Sequence, residues 1–420
     1  MRLASLLLTL VVSSAAQERL RIEDAERIAI ENHPRIAAAA AEAAASRASA
    51  DQVRARQKPQ LDVGVTASLA ERGTRLGMGG LTAGDLFSRF GTGFSVSQLI
   101  LDFGRNSLAF ASALETARSR ESSAQATRAE IRLQARIAFY RALQAQASRS
   151  IADELRKSRD VILRQTRTFA ENELRSIVDV GFAEVRLSEA ELLIIRTENE
   201  RQAALIELAT VMGLDRPGNW TLEEPVDSGL NVDVSQAIQQ VITKRPDLAA
   251  LRHQLEAARK QLESDRRLNF PTVAGTGVAG YIPFGDQRLR SRYAGAAVNI
   301  TLPVFNGNAF SARRLESEAR VNVVEKSYQD LLNRVQAAVR LSYLNLNTAQ
   351  ANMQVTRKLQ EQAERTLRLT EARYTAGLGT IVEFNQAQTD AIAAQIGYVT
   401  SRYETGIRRA RLDFEIGNLL

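Results

Sequence analysis

A chain of 420 residues without a single cysteine can form no disulfide, no thiol nucleophile and no thiolate metal site. Its net charge of +7 is interleaved with acids, as in RSRESSAQATRAEIR at 118–132, and forms no basic cluster broken by stacking aromatics, so nucleic-acid binding is not read from it. The two histidines, His33 and His253, and four scattered methionines give no metal-ligand spacing, no nucleophilic triad is visible, and GMGG at 77–80 lacks the strand-to-helix setting of a phosphate loop, so no enzyme is expected.

The chain opens MRLASLLLTLVVSSAAQ, with one basic residue, an apolar run from Leu3 to Val12 and small residues at Ser14 and Ala16. This is the pattern of a secretory signal over residues 1–16. No later apolar run reaches the roughly 18 to 20 residues of a membrane-spanning helix, so an exported chain without one is expected.

The first helical segment, AERIAIENHP (25–34), is matched by AIQQVITKRP (237–246) at an offset of 212 that also lays Pro59 over Pro271. Past a loop of different length, LILDFG (99–104) lies over LPVFNG (302–307) and Tyr140 over Tyr343. Further on, SIVDV (176–180) lies over TIVEF (380–384), and ATVMGL (209–214) over FEIGNL (414–419). The pattern reads as two repeats, 17–218 and 236–420, joined by a linker at 219–235. Each repeat is expected to run helix, two strands, very long helix, turn, helix. His33 fills the slot of Arg245 before the second proline and is read as a residue of the helix boundary.

The strands are expected near 61–70, 93–102, 272–282 and 294–304. Val63, Val65 and Leu69 would share one face, with Thr66 and Ser68 on the other. About ten residues with weak alternation suits a membrane-spanning strand, although a soluble hairpin fits the strands alone equally well. The glycine-rich connections at 71–92 and 283–293 resemble external barrel loops and favour the membrane reading. Four strands cannot close a barrel, and open edges are costly in hydrocarbon, so the chain is expected to oligomerise through its strands.

The long helices, expected over 105–172 and 308–376, contain no glycine or proline and are followed by helices over 176–213 and 380–417. Val355, Leu359, Ala363, Leu367, Thr370 and Tyr374, and Ile151, Leu155, Ile162 and Phe169, are read as coiled-coil seams. The second long helix stops at Gly377 and Gly379, where glycine permits a tight turn. The first stops without glycine, and Asn172 is the residue expected to take the left-handed conformation.

This ordered set, the twofold repeat, the strand pairs opened by Pro59 and Pro271, the LDFG and VFNG turns and the Tyr-x-x-Gly-x-x-x-Ile-Val-Glu segment, resembles the TolC-like outer membrane efflux proteins. The resemblance implies a mostly α fold with transmembrane β: long antiparallel coiled coils forming a periplasmic tunnel, four strands per chain in a 12-stranded trimeric barrel, and the linker 219–235 in an equatorial belt. It implies a trimeric outer membrane channel, a passive conduit gated at its helical tips that completes a tripartite efflux or type I secretion system. Its partners would be two further copies, a periplasmic adaptor (membrane fusion protein), an inner membrane pump and outer membrane lipid.

Residue by residue, the resemblance puts Glu383 where the family often places an aspartate lining the closed aperture, Gln386 where a second acid can stand, and Asp179 at the equivalent of Glu383 in the first repeat. The tip turns and adaptor contacts would be Gly377, Leu378, Gly379 and Thr380 in one repeat and Asn172, Glu173, Leu174 and Ser176 in the other. An ordinary solvated acid in the first turn of a helix is the alternative for Glu383. A periplasmic adaptor, with one hairpin between β-rich halves, and an exported coiled-coil structural protein are the alternatives for the whole chain. Two complete copies with four strands favour the channel.

Overall fold

A computed structural model describes residues 18–71, 75–78, 81–85, 87–173, 176–225, 234–285 and 289–419. The signal-like segment 1–16, Leu174 and part of the 219–235 linker lie outside the described residues. In chain order the elements are β1 (Glu18–Leu20), α1 (Ile22–Asn32), α2 (Pro34–Ala55), β2 (Gln60–Ser68), β3 (Arg75–Met78), β4 (Leu81–Asp85), β5 (Arg89–Leu101), α3 (Arg105–Glu171) and α4 (Ile177–Val211). They continue with β6 (Trp220–Leu222), α5 (Val234–Lys244), α6 (Pro246–Arg266), β7 (Thr272–Gly285), β8 (Arg292–Thr301), α7 (Ala309–Thr375) and α8 (Ile381–Glu415).

Where one opening helix is expected in each half, there are two, broken at Pro34 and Pro246. Proline lacks the N–H of a continuing helix and pushes the residue before it toward extended backbone. His33 accordingly sits at φ −69 and ψ 122, ending α1. The loop at 71–92 is likewise not bare, because β3 and β4 form a small antiparallel hairpin inside it.

α3 and α7 are both 67 residues long, about 100 Å each at 1.5 Å per residue, and α4 and α8 are both 35. Positive-φ backbone falls at Phe103 and Gly307, at Glu173 and Gly377, and at Gly213 and Gly417, each pair 204 residues apart. The letter matches of LDFG over VFNG and of ATVMGL over FEIGNL therefore slip by one position. Equivalence here is set by the left-handed conformation that stops or starts a helix, which Phe103 and Glu173 adopt without being glycine.

The chain divides into two compact units. One comprises residues 39–124 and 246–331 and contains an antiparallel sheet in the order β2-β5-β7-β8. Its register pairs Leu61 with Val96 and Val63 with Phe94, then Val96 with Gly277 and Val273 with Ile300. Since directly paired residues share a face, Leu61, Val63, Val65, Phe94, Val96, Val298 and Ile300 lie on one side of the sheet, all exposed. Asp62, Thr66, Ser95, Ser97 and Asn299 lie on the other. Leu69, expected on the apolar face, is beyond the end of β2. Beside the sheet, the buried Asp265 on α6 accepts from Ser317 Oγ (2.6 Å) and Arg313 Nε (3.1 Å) on α7, and Ser112 Oγ on α3 donates to the Ala257 carbonyl (2.7 Å).

The other unit comprises residues up to 38, 125–245 and 332–420. β1 and β6 pair in parallel, Glu18 with Trp220 and Leu20 with Leu222, so the described part of the linker contributes one strand. They seal a core of Leu20, Ile22, Ala25, Ile131, Phe139, Leu208, Met212 and Tyr403. α3 and α4, and α7 and α8, form antiparallel hairpins. The α7 seam holds the expected Ala363, Leu367, Thr370 and Tyr374 but departs from expectation before them. Met353, Thr356, Gln360, Ala363, Leu367, Thr370 and Tyr374 are half-buried or buried and follow alternating three- and four-residue steps, with Glu364 half-buried beside them, while Val355 and Leu359 are exposed. Repeated steps of four drift off a face that advances 3.5 residues per turn. On α3 the same rule replaces Phe169, which is exposed, with Leu163 and Thr166. Among the described residues no helix is long and apolar enough to cross a membrane.

Candidate functional site: the hairpin tips

At the end of α7, Gly377 takes φ +76, its N–H reaching the Tyr374 carbonyl (3.1 Å) while that of Leu378 reaches Arg373 (2.8 Å). The two bonds satisfy carbonyls that the ending helix leaves free. Thr380 then caps α8, its Oγ1 accepting from Glu383 N (3.1 Å), and Glu383 Oε2 accepts in return from Thr380 N (3.5 Å). This is a reciprocal capping box. Beneath the turn, Tyr374 and Phe384 stack at 5.4 Å and pack with Ile381, Leu367 and Ile162 of α3.

The first-repeat tip is built differently. Glu173, not Asn172, holds the left-handed conformation, at φ +56. Asn172 instead spends its amide on the helix end, with Nδ2 donating to the Thr168 carbonyl at 2.7 Å. Ser176 caps α4 by accepting from Val178 N (3.2 Å), and Asp179 is half-buried in the first turn.

Glu383 and Gln386 lie exposed on one face of α8, and Gln386 Nε2 donates to Asp390 Oδ1 (2.9 Å), which extends the polar face by one turn. Asp179 stands on the other hairpin, and no hydrogen bond or ion pair between it and Glu383 occurs among the described residues. Nor do they contain a group of His, Asp and Glu able to hold a metal.

Two polar contacts inside the otherwise apolar seam tie the hairpins together. Arg159 on α3, 5 % exposed, donates from Nη1 to Asn385 Oδ1 on α8 (2.9 Å), and Gln388 Nε2 donates to Ser158 Oγ (3.1 Å). Burial, reinforced by the nearby Arg186 and partly offset by Glu189, pushes the Arg159 guanidinium down to about 10. The signal was present in the sequence: Asn385 and Gln388 fall on the same helix face as Ile381 and Phe384, where a plain seam would be apolar.

The profile of the outer membrane efflux protein family matches residues 27–214 and 237–418, most of the chain and both tips. The chain belongs to that family. This efflux-family chain is an outer-membrane protein, 27% identical over 223 residues to the pyoverdine export outer membrane protein OpmQ of Pseudomonas aeruginosa, which covers 52% of this chain and 46% of the relative. It is 24% identical to the toluene efflux pump outer membrane protein TtgC of Pseudomonas putida, over 75% of this chain and 66% of the relative. The alignments thus span about half to two thirds of these relatives' own lengths. The fold is that of the Campylobacter jejuni CmeC outer membrane channel, with a TM-score of 0.82 at 14% identity over 94% of this chain and 85% of the other. The outer membrane protein VceC of Vibrio cholerae gives 0.78 at 20% identity over 94% and 96%.

Proposed function

We propose that three copies of this efflux-family chain form a passive outer membrane channel, closed at the hairpin tips, that completes an export system powered from the inner membrane. The observation that carries the reading is the open sheet, with an exposed apolar face on one side, polar and small residues on the other, and unpaired edges at β2 and β8. In hydrocarbon such edges must be paired, and neighbouring copies supply the strands, giving twelve in all.

The helices support the same closure. Contacts run from α4 to α3, from α3 to α8 and from α8 to α7. That order leaves α4 and α7 as edges, and each carries a further exposed apolar strip: Val178, Phe182, Val185 and Leu192 on α4, and Val355, Leu359 and Leu369 on α7. A ring in which α4 of one copy meets α7 of the next covers both. The duplicated halves, with helices of matched length, suit a wall built from quasi-equivalent hairpins.

At the tips, three copies of Glu383 would form a carboxylate ring selecting cations, and the turns at 172–176 and 377–380 would meet a periplasmic adaptor and, through it, the pump. Transport of this kind makes and breaks no bond. The capping box gives Glu383 a second role, and the two separate by substitution. Glu383→Gln keeps a side chain able to cap at the same position but removes the charge, whereas Glu383→Ala removes both. In planar bilayers Glu383→Gln should lose cation preference with tip stability retained. Unchanged selectivity in both variants would leave Glu383 as a capping residue only. The assembly itself is tested by native mass: a detergent-solubilised particle of three chains from the outer membrane is expected, and a water-soluble single chain would remove the channel.

A further inference from the structure

Above the tip, helices α3, α4 and α8 line a half-open cavity of 320 Å³ that includes Leu155, Arg159, Arg186, Glu189, Leu193, Arg196 and Ile392. Its charges do not balance. Arg186 is paired with Glu189 (2.8 Å), but neither Arg159 nor Arg196 has a carboxylate partner among the described residues. Arg159 is the more telling of the two, because its side chain is almost wholly buried and its Nε donates to nothing. A buried guanidinium is normally matched by an anion, since removing its hydration is otherwise uncompensated. Asn385, its one neutral acceptor, supplies no charge.

We infer that this cavity is a binding site for a small organic carboxylate with an apolar body. The two unmatched guanidinium groups, planar and rich in donors, would take the carboxylate. Leu155, Leu193 and Ile392 would cover the apolar part, and the volume lies at the lower end of the range for small-molecule pockets. Bound there, one ligand touches three helices of both hairpins. The site goes beyond the channel reading and does not require it. Leu192, also in the cavity, lies on the α4 strip proposed to meet the next copy, so native mass is measured beside binding in each variant to separate loss of the site from loss of assembly.

The experiment is calorimetric titration of the full chain, purified in detergent, with sodium benzoate, and with benzamide as the uncharged counterpart. Saturable binding of benzoate with one site per chain is expected, with none of benzamide. Arg196→Gln, at an exposed position that leaves the fold undisturbed, should weaken benzoate by about tenfold, as loss of a charge-assisted contact does. Arg159→Gln should weaken it further, and hydrogen exchange should show benzoate protecting amides in 155–159 and 186–196 of the unsubstituted protein. Absence of saturable binding, equal binding of benzamide, or benzoate affinity unchanged in Arg196→Gln would each overturn the site.

Discussion

Gly377 and Glu173 hold the same left-handed turn at the ends of helices of equal length, yet only one is glycine. A Cβ at Gly377 would meet nothing within 4 Å, so replacing it tests backbone conformation without a clash. Left-handed geometry costs an L-residue about 1 to 2 kcal/mol. Gly377→Ala should therefore destabilise the α7–α8 tip by about 1 kcal/mol, while Glu173→Gly should stabilise the other tip, and local hydrogen exchange reads each hairpin separately. Arg159 gives a second test at this scale. Asn385→Leu strips the buried guanidinium of its acceptor and should lower stability by about 1 to 3 kcal/mol, the cost of leaving a buried donor unpaired. Asn385→Asp supplies the missing charge and should be tolerated far better, with thermal unfolding of the pair giving the order.

The helices owe their ends to caps and their pairing to periodicity, and these two signals differ in how far they can be read. Ser176, Thr380 and the glycines at 213, 377 and 417 mark ends in the sequence because capping needs those side chains or that backbone freedom. Thr380→Ala, which breaks the capping box, should cost about 1 kcal/mol by thermal unfolding. Periodicity was legible as the presence of a coiled coil and, from Ala363 to Tyr374, as its face, but not over the turns before them. α7 carries two apolar strips, and choosing Val355 and Leu359 over Met353 and Thr356 for the inner one requires knowing which neighbour each strip meets. Parallel pairing of β1 with β6, across 202 residues, leaves no local trace at all. The α3–α4 pairing adds a pH dependence. Hydrogen bonds from Arg201 and Gln202, with Arg149 across the pair, hold Glu198 down to about 2. A carboxylate depressed in the folded state contributes stability above its ordinary range and loses it as pH falls through the folded value. The clamp should thus be intact at neutral pH and weaken between the usual glutamate range and about pH 2, whereas Glu198→Gln should show no such acid-dependent loss in pH-resolved hydrogen exchange.

For the whole molecule, the exposed strips on α4 and α7 separate folding from assembly. A residue buried inside the chain and one buried only between copies are both apolar in the sequence, and the solvent exposure of Val185 in the single chain distinguishes them. Val185 is 56 % exposed in the single chain, so an aspartate there should leave folding nearly untouched, within the roughly 0.5 kcal/mol typical of surface changes. In the proposed ring the same aspartate would be desolvated against the apolar strip of α7 in the next copy, without a partner charge, which costs several kcal/mol at each of the three joints. Val185→Asp should therefore keep the circular dichroism of a helical chain while its native mass in detergent falls from three chains toward one, and the membrane conductance of the assembly should disappear with it. Ala183→Asp is the matching control. Ala183 is buried between α4 and α3 of one chain, so its charge should unfold the first hairpin rather than spare it, and the contrast between the two variants, two residues apart and so on opposite faces of α4, locates the joint between copies.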